Sequence, residues 1–452
     1  MKHVILGAGP AGVIAAETIR KHAPYDDIVI VGDEPEAPYS RMAIPYLLMG
    51  DVAESGTHLR RDSGHFARQR IAVRQARCTA VDGPRRSVSL DDGSILLFDT
   101  LLIATGSTPM SPPIPGIDSP DVHPCWTLAD ARAIMSKARS GQRVLQMGAG
   151  FIGCIIMEAL ASRGVELTVV EMGDRMVPRM MGPTAGAMIK AWCEKKGVKV
   201  HTGARVESIA AAGAPGAEPE RGLLGKIVGF FSGAAPSETD DARGGWRVKL
   251  STGQTLGADL IISATGVKPN VGFLEGSGVK CNLGVLTDAR LQTNVAGIYA
   301  AGDCAEAFDN FTGKPVVSAI QPNAADQAYA AAMNMVGKST ALKQVTQINV
   351  LDTLGLVSTS FGEFQGVAGG QHVELTDRAA GRHLSLQFKD DVLVGCNSLG
   401  WSEHVGVMRG LVEGKVHLGA WKDALLEDPT QLMPAYLACA QAQDHRSLFK
   451  VA

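Results

Sequence analysis

Cysteine is scarce and scattered in this chain. Cys78, Cys125, Cys154, Cys193, Cys281, Cys304, Cys396 and Cys439 include no C-x-x-C and no C-x-x-x-x-C pair. That lack argues against a zinc site, an iron–sulfur cluster and a redox-active dithiol, so no metal is expected and the thiols read as reduced. Apolar runs long enough to cross a bilayer are missing too, so no spanning helix is expected. The start, Met1-Lys2-His3-Val4, has neither the charged segment nor the apolar stretch of a secretory signal, and the chain reads as cytoplasmic. Neither sign of charge dominates: 43 Lys and Arg stand against 46 Asp and Glu. No polyanion-binding face follows from that balance, and nucleic acid is not an expected partner. What remains is 452 residues with 45% hydrophobic and 20% charged content, enough for several domains with cores of their own.

One pattern occurs twice. The apolar strand Val4-Ile5-Leu6 runs into Gly7-Ala8-Gly9-Pro10-Ala11-Gly12 and an Ala-rich helical stretch to about Arg20; the strand Ile28–Val31 follows and ends at Gly32-Asp33-Glu34. Further on stands Ala104-Thr105-Gly106 after an apolar run. The second copy is Val144–Met147, then Gly148-Ala149-Gly150-Phe151-Ile152-Gly153 and a helix to Arg163; its next strand ends at Glu171, and Ala264-Thr265-Gly266 closes it. A G-x-G-x-x-G between strand and helix lets backbone approach a pyrophosphate and aims helix N–H groups at it, and an acid closing the next strand accepts from ribose hydroxyls. Asp33 follows Gly12 by 21 residues and Glu171 follows Gly153 by 18, as the motif requires. A carboxylate at Glu171 repels a 2′-phosphate, which predicts NADH over NADPH, while Arg175 and Arg179 stand close enough to soften that preference.

With these motifs, Val267-Lys268-Pro269-Asn270 and Tyr299-Ala300-Ala301-Gly302-Asp303-Cys304, the chain resembles the glutathione-reductase-like FAD/NAD(P)H oxidoreductases over nearly its whole length. The resemblance implies two nested doubly wound α/β domains and a C-terminal α+β dimerisation domain. It implies FAD on Gly7, Gly9, Pro10, Ala11, Gly12, Asp33, Glu34, Arg41, Ala104, Thr105, Gly106, Gly302 and Asp303. NADH falls to Gly148, Gly150, Phe151, Ile152, Gly153, Glu171, Ala264, Thr265 and Gly266. Asp303 is expected to begin a helix facing the pyrophosphate and flavin. The expected domains are 1–113 with 270–337 for FAD, 114–269 for NADH, and 338–452 for a homodimer interface.

Two departures from the family bear on chemistry. Pro38-Tyr39-Ser40-Arg41 resembles rubredoxin and ferredoxin reductases and the flavin domain of nitrite reductase. The next residues resemble the segment that carries a single redox cysteine in NADH oxidases and persulfide reductases, but Met42 stands there near the flavin, and a thioether forms no sulfenate or mixed disulfide. Ile155 stands near the nicotinamide, where relatives often have Glu; Glu158 lies about a turn away and reads as structural. No side chain is assigned as a certain catalytic group, because hydride transfer belongs mainly to the cofactors.

Other residues have two readings. Cys304 and Cys154 read as small buried side chains rather than reactive thiols. His404, with Trp401 and Glu403, reads as an interface histidine before a proton relay. Gln321-Pro322-Asn323 approaches the flavin, or Asn323 caps the following helix. Residues 210–245, rich in Ala, Gly, Pro and acids, read as a flexible insertion. Within it Arg221–Phe231 is either a membrane-surface contact, which would favour a quinone, or a segment folded back on the protein or a dimer partner. The predicted function is an FAD-dependent NADH oxidoreductase whose acceptor is a redox carrier protein or partner enzyme. Reduction of a small molecule (quinone, metal chelate or oxygen) and a non-enzymatic NADH sensor are the alternatives.

Overall fold

Val4, Ile5 and Leu6 are apolar on both faces of their strand and are buried to within 1% of their surface. A strand of that kind is stable only in the middle of a parallel sheet covered on both sides. Lys2–Leu6 duly pairs in parallel with Asp27–Gly32 on one side and Thr100–Ile103 on the other. Ile71–Gln75 and Ile298–Ala300 complete five parallel strands. Each fully buried aliphatic side chain here contributes about 1.5–3 kcal/mol, so Leu102→Ala would cost about 2–5 kcal/mol. These descriptions come from a computed structural model and cover residues 1–212, 245–309, 313–342, 345 and 348–439. The segment 221–231 lies outside the described residues.

The chain divides into two compact units, Met1–Pro109 with Val267–Gln347, and Met110–Gly266 with Ile348–Ala452. The second unit repeats the sheet of the first. Arg143–Met147 lies between Glu166–Glu171 and Leu260–Ser263, flanked by Lys199–Thr202 and Val122–His123, all parallel. In both sheets the strand order reverses beside the glycine-motif strand, leaving a crevice at its carboxyl end where α/β sheets bind ligands. Each unit also carries a three-stranded antiparallel meander: Cys78–Asp82, Ser87–Leu90 and Ile95–Leu97 in the first, Val206–Ala211, Trp246–Leu250 and Thr255–Ala258 in the second. The expected insertion joins the first two strands of the second meander. Its two ends are tied, with Ala211 opposite Trp246 and Ala212 N–H donating to Gly245 O at 2.8 Å.

Ile348–Thr353, Leu356–Gly362, Val392–Leu399, Arg382–Lys389 and Gln371–Asp377 form a five-stranded antiparallel sheet in the second unit, with helices at Val405–Glu413 and Trp421–Glu427. Asn397 of this sheet donates to Met180 O at 3.0 Å and accepts from Gly182 N–H at 2.8 Å, so it is fastened to the parallel-sheet half of its own unit.

Two local readings change. The helix expected at Asp303 does not form there: the residue sits in a turn, and Ala305–Asp309 is a strand pairing with Lys314–Val317. Its residues are buried apart from the exposed Phe308, and its backbone groups are taken up by the ladder to Lys314–Val317. The next helix, rich in Ala, runs Gln321–Met335, with Ile320 as its N-cap and no side-chain cap. Asn323 is therefore inside its first turn, donating to Ser318 Oγ at 2.6 Å, and does not cap it.

Candidate functional site

The two glycine turns share one backbone plan. Gly7 N–H donates to Val31 O at 2.7 Å and Gly148 N–H to Val170 O at 2.8 Å. Both first glycines hold positive φ, +117° and +96°, which disfavours any other residue. A Cβ on Gly7 would overlap Ala104 O, and one on Gly148 would overlap Ala264 O, so each Ala-Thr-Gly segment is the wall against which its glycine is pressed. Gly12 and Gly153 are closed in the same way by the carbonyls of Gly7 and Gly148. The middle glycines differ: a Cβ on Gly9 or Gly150 would meet nothing within 4 Å. That open space lies at the N-cap of the helices Pro10–His22 and Phe151–Ala161, whose first N–H groups are available to an anion. Protein contacts therefore explain two glycines of each motif, and the third fits a dinucleotide that must come close.

The acids are not equivalent. Leu6 pairs with Val31 and Met147 with Val170, so Glu171 matches Gly32, and Asp33 lies one residue further on. Glu171 is buried, accepting from Ala149 N–H at 2.6 Å and Gly173 N–H at 2.7 Å. Each carboxylate oxygen keeps a further lone pair for a ribose hydroxyl. Asp33 is half exposed and faces Arg77 at 3.4 Å. Glu34 is more enclosed, accepting from Tyr39 Oη at 2.5 Å and Arg41 at 2.7 Å. Arg175 is turned to its own loop, donating to Met181 O at 3.0 Å and Asp174 at 2.7 Å.

Asp303 accepts from Ser107 Oγ at 2.9 Å. Burial pushes its carboxyl above the ordinary range, against the Ser107 hydroxyl and the Arg41 charge, which pull it down. Gly302, at φ +81°, turns the chain into this site, and its N–H donates to Gln327 Oε1 at 2.8 Å. The first unit thus brings Ser107 onto Asp303, within reach of the Arg41 charge. Ser107 and Gln327 were not singled out in the sequence, although Ser107 directly follows the Ala104-Thr105-Gly106 element. Thr105 and Asn270 are cross-linked, Thr105 Oγ1 donating to Asn270 O at 2.7 Å and Asn270 Nδ2 to Thr105 O at 3.0 Å.

Met42 is 47% exposed in the short turn Arg41–Ala43. Burial pushes all eight thiols above their ordinary value, Cys78, Cys125 and Cys193 to about 12. Cys304 is fully buried, its Sγ 3.4 Å from both Ile103 O and Ala301 O. Ile155 is half-buried, and Glu158 is pushed up by burial and then by Asp352. His404 stands at the head of Val405–Glu413 with φ +64°. Nearby Trp401 lies under Arg382 at 5.5 Å, and Glu403 is 3.9 Å from the same guanidinium. Among the described residues no group of three His, Cys, Asp or Glu gathers to hold a metal ion, and no helix is long and apolar enough to cross a membrane.

The family model for pyridine nucleotide-disulphide oxidoreductases matches residues 1–333. The chain is 31% identical over 432 residues, 95% of each chain, to subunit epsilon of the NADH-dependent phenylglyoxylate dehydrogenase of Aromatoleum evansii. It is 31% identical over 345 residues, 76% of this chain and 77% of the relative, to the ferredoxin–NAD(+) reductase component of the anthranilate 1,2-dioxygenase system of Burkholderia cepacia. Among solved structures, the ferredoxin reductase for the CYP199A2 system of Rhodopseudomonas palustris superposes with a TM-score of 0.77 at 25% identity, covering 90% of this chain and 93% of that one. The chain belongs to the pyridine nucleotide-disulphide oxidoreductase family. Within it, the protein is an FAD-dependent oxidoreductase that uses NADH.

Proposed function

We propose that this chain takes reducing equivalents from NADH and hands them to a redox protein, a small carrier or a partner subunit, without thiol chemistry. One observation supports this most. Two complete nucleotide turns stand in a chain whose every thiol is held up by burial, with a thioether at Met42. Bound FAD supplies the chemistry, accepting a hydride and releasing electrons onward. The protein's part is to hold and orient. Gly7, Gly9, Pro10, Ala11 and Gly12 receive the FAD pyrophosphate at a helix start, Asp33 or Glu34 the ribose, and Arg41, Ala104–Gly106, Gly302 and Asp303 the remainder. Gly148, Gly150, Phe151, Ile152, Gly153, Glu171 and Ala264–Gly266 do the same for NADH. Ile155 stands where relatives often carry a Glu near the nicotinamide. In this reading 1–113 with 270–337 bind FAD, 114–269 bind NADH, and 338–452 make a homodimer contact.

The acceptor follows from what the relatives are named for: one is a subunit of an NADH-dependent dehydrogenase and another a ferredoxin–NAD(+) reductase component. The test is anaerobic mixing of the FAD-loaded protein with NADH, and with NADPH in parallel, followed by an oxidised ferredoxin. Fast bleaching of the flavin band by NADH, then reoxidation by the ferredoxin, is the expected result. Bleaching reversed by a quinone or oxygen but by no redox protein would overturn the acceptor class. Bleaching over minutes would make the chain a sensor instead.

A further inference from the structure

We infer that Gln146 is a positioning residue for NADH: its side-chain amide and the Glu171 carboxylate grip one peptide plane of the second glycine turn from opposite sides. The inference rests on reading that turn as the NADH site. Gln146 is the polar residue in an otherwise apolar, buried strand segment, Val144-Leu145-Gln146-Met147, and is itself fully buried. Its Nε2 donates to Gly148 O at 2.8 Å and to Gly153 O at 2.9 Å, using both amide hydrogens on the first and third glycines of the motif. That pairing fixes the amide's orientation, because a flip would set Oε1 against two carbonyl oxygens.

A trans peptide points its C=O and N–H in opposite directions. The unit joining Gly148 to Ala149 gives its oxygen to Gln146, and its N–H, from Ala149, goes to Glu171 Oε2 at 2.6 Å. The tilt of this plane therefore sets where the carboxylate sits, and Gln146 sets the tilt. The FAD turn has no counterpart: by register Ile5 occupies the place of Gln146 and Gly32 that of Glu171. Ile5 Cγ2 lies under Gly12 much as Gln146 Nε2 lies under Gly153, but it cannot donate. The second turn is also the more open. A Cβ on Gly153 would stand 2.5 Å from Gly148 O, where the equivalent atom on Gly12 would overlap Gly7 O more deeply.

Gln146 Oε1 is buried and has no hydrogen-bond partner. An apolar residue would fill the strand without that unsatisfied atom but would strip Gly148 O and Gly153 O of their donor, so the amide serves the turn rather than the packing of the strand. A clamp on a nucleotide that must bind and leave at every turnover accounts for it.

The test is a double-mutant cycle read by ADP-ribose binding to the FAD-loaded protein, which needs no turnover. Gln146→Met keeps the shape and removes the donors; Glu171→Gln weakens the other grip. Each single variant should raise the ADP-ribose Kd about tenfold, the scale of one or two lost hydrogen bonds. The double variant should lose much less than the product of the two, because both act on one plane. In steady state Gln146→Met should raise KM for NADH and leave kcat and FAD content as they were. Additive losses, an unchanged Kd in Gln146→Met, or an equal loss of FAD would overturn the inference. Gly150→Val separates the two readings: if it leaves ADP-ribose binding intact, the turn is not the NADH site. If it abolishes binding while Gln146→Met does nothing, only the clamp fails.

Discussion

Replacing single glycines in one motif by alanine separates folding from cofactor binding. A Cβ on Gly12 would overlap Gly7 O and stand 3.3 Å from Ile5 Cγ2, so a methyl group there meets backbone that cannot swing aside. Overpacking of this kind costs about 1–3 kcal/mol, occasionally more. Gly12→Ala should lower both the stability of the apoprotein and its FAD content. Gly9 is open to 4 Å and holds φ −78° and ψ −173°, a conformation alanine adopts freely. The apoprotein should lose only about 1 kcal/mol or less, the effect of alanine at an N-cap position. The added methyl nevertheless stands where a pyrophosphate must approach, and a loss of about 1.4–3 kcal/mol in binding would be a tenfold to hundredfold rise in the FAD Kd. Calorimetry of the two apoproteins and titration with FAD measure the two quantities independently. A Gly9→Ala protein that binds FAD as tightly as the parent would refute the reasoning, as would a Gly12→Ala apoprotein that melts at the parental temperature.

Three further outcomes follow from the same geometry. Ser107→Ala removes the hydroxyl that offsets burial at Asp303, so the carboxylate should protonate at higher pH. The FAD-release profile on acidification should then begin at higher pH than in the parent; coincident profiles would remove Asp303 from FAD binding. His3 is buried, bonded to Thr100 at 2.7 Å and Asp26 at 2.9 Å, and burial outweighs Asp26 in holding its pKa below 6.5. The unfolded chain therefore takes up the proton first, and stability should fall as pH drops below about 6.5; His3→Gln should flatten that limb of the melting-temperature profile, and an unchanged slope would show that His3 is not its source. Finally, Cys154 and Cys304 of the native protein should be alkylated slowly by iodoacetamide at neutral pH, read by peptide mass spectrometry, since both are buried and burial raises their thiols. NADH-driven bleaching should survive Cys304→Ala, and its loss would reinstate a thiol mechanism.

Much of this was legible in the sequence because it depends on local rules. Glycines needing positive φ or contact with a carbonyl, apolar strands buried on both faces, and an acid at a set distance leave a mark in the residues themselves. The two nucleotide turns, the family, FAD and NADH follow from such marks. The segment at Asp303 is misread locally, since Gly-Asp-Cys-Ala reads as a helix start until Lys314–Val317 arrives to pair with Ala305–Asp309. That partner lies beyond an intervening loop, and no short window contains it.

The sequence by itself determined the repeated strand–glycine–helix units, their order and the absence of a dithiol, because each rests on residues close together in the chain. Tertiary structure alone decided which groups tune the sites. Ser107 reaches Asp303 across 196 positions, and Gln327 reaches Gly302 from the helix Gln321–Met335. Glu171 and Ala149, with Gln146 beneath them, meet only because two parallel strands set their register. A hydrogen bond between distant residues is fixed by the packing of whole elements, and that packing has no signature in the residues on either side of it.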